Sequence, residues 1–176
     1  THIINVIDPM VDYVLDHFPG KQVGLIGTKR TVQSGVYYRK ITEGNKNIVL
    51  HSLATPLLAP MIEEGFFNNQ ISHEIIAQYL SDTSLKNIEA LILACTHYPL
   101  IKKEIDSYYQ GKMIILDSSE IVAIALKKYL ENEDLLNEDE PIEQHFLVSD
   151  YTESFEAAAR MFFHQAVHLE KHPLWN

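Results

Sequence analysis

Short apolar runs alternate along this chain with longer stretches in which apolar residues recur at helical spacing. The runs at 3–7, 22–26, 48–51, 90–94 and 113–116 are too short for helices and predict strands. Between them the periodicity predicts helices over about 10–17, 31–41, 56–64, 72–80, 99–109 and 119–130. Punctuation supports these bounds. Asp8-Pro9 reads as an N-cap followed by a proline in the first helical position, Pro19-Gly20 stops that helix, Gly65 ends a later one, and Ser72 and Ser119 sit where caps belong. The stretch 131–141 is crowded with acids and closed by Pro141, which predicts a solvated loop. Beyond it, 144–148 reads as one more strand and 152–168 as a helix, with Asp150 as a cap.

This alternation predicts an α/β fold, a parallel sheet flanked by helices on both faces in an α/β/α sandwich, with right-handed crossovers. In such sheets ligands bind beyond the carboxyl ends of the strands. Thr28 and Cys95 both fall at predicted strand ends, so the polar tips converge on one edge.

Composition narrows the function classes. The 176 residues are 46% hydrophobic and 22% charged, ordinary values for a soluble globular chain. A formal net charge of −10 argues against nucleic-acid backbones as partners. No apolar run approaches the ~18 residues of a membrane span. One cysteine excludes an internal disulfide and fits a cytoplasmic setting. The chain has no initiating methionine and opens inside an apolar run, which predicts a piece of a longer protein.

That cysteine lies in Leu91-Ile92-Leu93-Ala94-Cys95-Thr96-His97-Tyr98-Pro99, where a buried strand runs straight into a thiol, a hydroxyl and an imidazole. A thiol at the start of a helix is favoured as thiolate by unpaired N–H groups, and His97 is near enough to share its proton. Cys95 is then a nucleophile or a base, or else a small hydrophobe in the core. Gly24-Leu25-Ile26-Gly27-Thr28-Lys29-Arg30-Thr31 lacks both the P-loop and the dinucleotide spacing. Its two hydroxyls either bind an anion or simply cap a helix. Glu63 and Glu64 follow an apolar run, as a solvated helix end or as a carboxylate aimed at Cys95. His164, His168 and His172 would share one helical face, but the zinc-protease glutamate is missing and a plain surface is favoured. No metal site is expected.

With these residues in view, the chain resembles the glutamate racemases of the aspartate/glutamate racemase superfamily. ACTHYPLI at 94–101 looks like the family's second cysteine signature, GLIGTKRTVQSGVYYRKI at 24–41 is similar to its Gly-Thr-x-x-Thr-Val-x-Ser-x-x-Tyr segment, and LATPLLAPMIEEG at 53–65 resembles its proline-flanked acidic segment. Order and spacing agree over essentially the whole chain, as the family's C-terminal two-thirds. The histidine directly after Cys-Thr resembles glutamate rather than aspartate racemases.

The resemblance implies cofactor-independent interconversion of L- and D-glutamate by two opposed cysteines, supplying D-glutamate for peptidoglycan. Carried over, Cys95 is the thiol on the L-enantiomer side and His97 tunes its proton transfer. Thr28, Thr31 and Thr96 bind substrate carboxylates, and Glu63 lies near the amine. The partner is then glutamate, with no nucleic acid or membrane, and a homodimer is compatible with the reading. The family's first cysteine segment and its Asp-Ser pair have no counterpart here. The resemblance thus divides the chain into 1–11 as a remnant of a first lobe, 12–118 as a complete second lobe, and 119–176 as a segment returning to the first. On that division 3–7 and 144–148 belong to a sheet whose other strands are absent, and the piece alone is inactive. The rivals are a racemase for aspartate or another amino acid, and a non-catalytic remnant that binds an acidic metabolite.

Overall fold

The computed structural model describes residues 3–137, 144–163 and 165–174. Its centre is a four-stranded sheet of β1 (Gln22–Gly27), β2 (Val49–Ala54), β3 (Ala90–Ala94) and β4 (Ile114–Asp117), all parallel, in the order β2-β1-β3-β4. β3 is buried along its whole length. Alternation along it sends Leu91 and Leu93 to one face and Ala90, Ile92 and Ala94 to the other. The first face packs on α4 (Leu58–Glu63), α5 (Gln70–Leu80) and α6 (Lys102–Tyr108) through Leu58, Ile62, Ile76 and Ile105. The second packs on α1 (Asp8–His17) and α3 (Val36–Glu43) through Met10, Val14, Tyr37 and Ile41. Two apolar clusters on opposite faces are the physical content of the sandwich that the sequence predicts.

The remaining helices are α2 (Lys29–Ser34), α7 (Ser118–Asn132) and α8 (Glu153–Phe163), with short 3-10 turns at Thr83–Leu85 and Tyr98–Ile101. A separate two-stranded parallel sheet joins β5 (Phe146–Val148) to β6 (Leu169–Lys171).

Several expectations are corrected. Residues 3–7 form no strand, because no neighbouring strand pairs with them; the Asn5 side chain instead accepts hydrogen bonds from the Ile7 and Asp8 N–H groups, each at 2.9 Å, and starts α1. Asp8 is therefore not the cap but a first-turn residue, ion-paired to Lys40 at 2.9 Å. The single helix expected over 31–41 is two, α2 and α3, broken at Gly35, whose φ of +63° favours glycine. Asn69 caps α5, with Ser72 as its capping-box partner, and Asp117 caps α7 in place of Ser119.

The acidic stretch begins inside α7, and its residues 138–140, with Pro141, lie outside the described residues. The helix expected over 152–168 stops at Phe163, with Thr152 rather than Asp150 accepting from a first-turn N–H, that of Phe155 at 3.2 Å. His168 and His172 therefore flank β6 instead of sharing a helical face, and His164 lies outside the described residues. The strand expected at 144–148 does form, as β5, but it pairs with β6.

Candidate active site

The strand order creates one place for a ligand. From β1 the chain crosses to β2 on one side and later returns as β3 on the other, so the topology switches between β1 and β3. Crossovers leave in opposite directions there and open a crevice at the carboxyl ends. Gly27 is in register with Ala94. The next residues on each strand are Thr28 and Cys95, which therefore face the crevice side by side.

A cavity of about 380 Å³ lies at this point. Thr28, Thr31, Glu63, Cys95, Thr96 and His97, the six candidates read from the sequence, all line it. Thr28 is the N-cap of α2: its Oγ1 accepts from the Thr31 N–H at 3.2 Å and lies 3.0 Å from Thr31 Oγ1. The capping reading of Thr28 and its presence in the cavity are thus both true. Ser118 and Tyr37 line the same space and were not singled out in the sequence. Ser118 stands where β4 ends, so strand-end position was the signal available for it. Tyr37 closes the Gly-Thr-x-x-Thr-Val-x-Ser-x-x-Tyr segment, which was the signal available for it; burial pushes its hydroxyl up to about 12.

Three side chains form a chain of contacts. Cys95 Sγ lies 3.7 Å from His97 Nδ1, and His97 Nε2 lies 3.2 Å from Glu63 Oε1. Glu63 is the last residue of α4, so the proline-flanked segment delivers it to the imidazole. The His97 ring also meets Phe162 of α8 edge-on, with centroids 5.7 Å apart. In a neutral ring with Glu63 accepting from Nε2–H, the nitrogen that faces the thiol is an unprotonated Nδ1, an acceptor for S–H.

The thiolate expected at this helix start is corrected by burial. Cys95 is half-buried against the cluster that holds Leu93 and Tyr98. Burial pushes its thiol above the ordinary cysteine value, the His97 backbone N–H pulls it down, the Glu63 charge pushes it up, and the Tyr98 N–H pulls it down again. The helix-start effect is present, but desolvation outweighs it. At rest Cys95 carries its proton.

A larger cavity of about 770 Å³ shares Glu63 and His97 with the first and is otherwise lined mainly by apolar residues of β5, α8 and β6, among them Phe146, Phe155 and Phe162. The thiol and the hydroxyls of Thr28, Thr31, Thr96 and Ser118 line the smaller space, whereas Glu64, His145 and Thr152 are the other polar residues of the larger one. Among the described residues no group of three or more metal-ligating side chains occurs, and no helix is long and apolar enough to cross a membrane.

Residues 1–126 match the family described as Asp/Glu/Hydantoin racemase. The chain is 38% identical over 131 residues to the glutamate racemase of Aquifex pyrophilus, covering 74% of this chain and 50% of that one. It is 35% identical over 169 residues to the glutamate racemase of Persephonella marina, covering 96% and 62% respectively. The glutamate racemase of Francisella tularensis, solved in complex with D-glutamate, has a TM-score of 0.85 at 35% identity, covering 96% of this chain and 63% of that one. The chain therefore spans between half and two-thirds of the length of these relatives. Agreement in sequence over most of the chain, joined to the same parallel-sheet architecture, makes this chain a member of the Asp/Glu/hydantoin racemase family.

Proposed function

We propose that this chain supplies one wall, and one of the two proton-transferring thiols, of a cofactor-independent glutamate racemase that interconverts L- and D-glutamate and provides D-glutamate for peptidoglycan. The observation that carries the reading is the contact chain Cys95–His97–Glu63 opening onto the same cavity as Thr28, Thr31 and Thr96.

Removing the Cα proton of an amino acid leaves a carbanion beside a carboxylate, so the site needs bases at contact distance and donors for the developing charge. Thr28, Thr31 and Thr96 offer hydroxyl donors to the substrate carboxylates without a fixed cation. Cys95, protonated at rest, delivers its proton to the carbanion formed from D-glutamate, which gives the L-enantiomer and leaves a thiolate. In the other direction the thiol first passes its proton to His97 Nδ1, the imidazolium is held by Glu63, and the thiolate takes the Cα proton of L-glutamate. Each transfer balances, and each needs a second base on the opposite face of Cα. With one cysteine, this chain supplies only one of them. A cytoplasmic location fits a single unpaired thiol and a cytoplasmic substrate.

The test joins this chain to the remaining part of a full-length relative and follows optical activity from each enantiomer of glutamate. Racemisation from both is expected. His97→Asn should slow the reaction mainly from L-glutamate, because only that direction needs the thiol deprotonated first. A joined protein that folds and racemises neither enantiomer would sink the reading.

A further inference from the structure

Tyr98 follows the cysteine turn, yet its side chain does not point into the cavity. It is fully buried, as is Thr55, which stands just past the end of β2. The two hydroxyls lie 2.7 Å apart, and the Tyr98 O–H reaches the Thr55 carbonyl at 3.1 Å. Thr55 in turn reaches the Gly27 carbonyl twice, from its hydroxyl at 3.2 Å and from its N–H at 2.8 Å. Gly27 directly precedes Thr28, and the Tyr98 N–H closes the turn on the Cys95 carbonyl at 3.1 Å. One buried network thus ties together the ends of three strands, β1, β2 and β3.

Its position is not demanded by packing alone. Apolar residues of the same shape would fill this space, and a buried hydroxyl pair is retained at a cost unless both groups are satisfied. A second tyrosine acts on the same loop: Tyr79 of α5 accepts from the Leu57 N–H at 3.3 Å. The loop so held leads into α4, which ends in Glu63.

We propose that Tyr98 and Thr55 form a positioning clamp that fixes the Cys95 turn against the Thr28 loop and the root of α4, so that the thiol keeps its contact with His97 Nδ1. The clamp touches no reacting atom and acts through Cys95. Freed of it, the turn relaxes and His97 Nδ1, 3.7 Å from the sulfur, draws away as the acceptor of its proton, so the thiol ionises less readily. The inference rests on the reading of Cys95 as the proton-transferring thiol, but its test needs no substrate.

Cys95 is the only thiol in the chain, so the rate of iodoacetamide alkylation against pH reports its ionisation alone. Tyr98→Phe and Thr55→Val each remove the hydroxyl contact and keep the shape, while Thr55→Ser keeps the hydroxyl. Both removals should slow alkylation about threefold at a fixed pH below the midpoint, the change in thiolate fraction for a shift of about half a pH unit, and move the curve to alkaline pH. Thr55→Ser should leave the curve in place. Far-UV circular dichroism checks that each variant is folded, and if Tyr98→Phe is not, the Thr55 pair decides. An unmoved curve in the removal variants, faster alkylation from a loosened turn, or a Thr55→Ser shift as large as that of Thr55→Val would overturn the clamp. Failure of the joined protein to racemise glutamate would instead strike the functional reading and leave the alkylation result standing.

Discussion

The four-stranded sheet and the β5–α8–β6 unit are both parallel α/β structures, yet they bury their apolar residues very differently. Leu91, Ile92 and Leu93 in β3 are wholly inaccessible, whereas Leu147 in β5 and Phe155 and Phe163 in α8 are 56, 51 and 48% exposed. Parallel strands are normally covered on both faces, and two strands alone offer too little core to be stable. The difference teaches that the first region packs around two buried clusters, while the second carries apolar surface that stays exposed among the described residues. The two cavities share Glu63 and His97, where the buried sheet meets the more exposed unit.

The comparison can be broken most strongly by side-chain truncation. Leu93→Ala, at a wholly buried position, should cost about 2–5 kcal/mol by urea denaturation, whereas Leu147→Ala should cost under about 1 kcal/mol. Equal costs would mean that the two regions share one core after all. A smaller effect tests the cap that also faces the cavity. Thr28→Ala removes the acceptor for the Thr31 N–H and should cost about 1 kcal/mol, read in the same denaturation experiment.

The smallest effect is electrostatic. Because burial raises the Cys95 value in the folded state, its contribution to stability is fully present below the ordinary thiol value. It is lost as pH rises from there through the folded value, since the unfolded chain gives up the proton first. Wild type should therefore lose more stability than Cys95→Ala between about pH 7 and about pH 10. Parallel pH dependences would show that burial does not govern the thiol.

How much of this was legible in the sequence follows the same division. β1, β3 and β4 are short apolar runs bounded by turn residues, and the residues found for β3 coincide with the run that predicts it. A run of apolar residues nevertheless predicts a strand only if a neighbour pairs with it. Residues 3–7 have the composition without the partner, and Asn5 diverts their backbone into a helix cap. β6 is the converse: Leu169-Glu170-Lys171 has one apolar residue in three and pairs through its backbone. At the site, position at a strand end and the three motifs were enough to gather the six candidates. What they could not supply is the contact between Tyr98 and Thr55, 43 residues apart, or the ionisation state of Cys95, which depends on how deeply the turn is buried.

The central claim is that Cys95 exchanges the Cα proton of glutamate. It is tested most directly in the joined protein, in deuterated solvent, by following deuterium at Cα of L- and D-glutamate with and without Cys95→Ala. The account predicts deuterium entry into both enantiomers in the unsubstituted protein and its loss from L-glutamate in Cys95→Ala. Exchange of L-glutamate that persists undiminished in Cys95→Ala would contradict it.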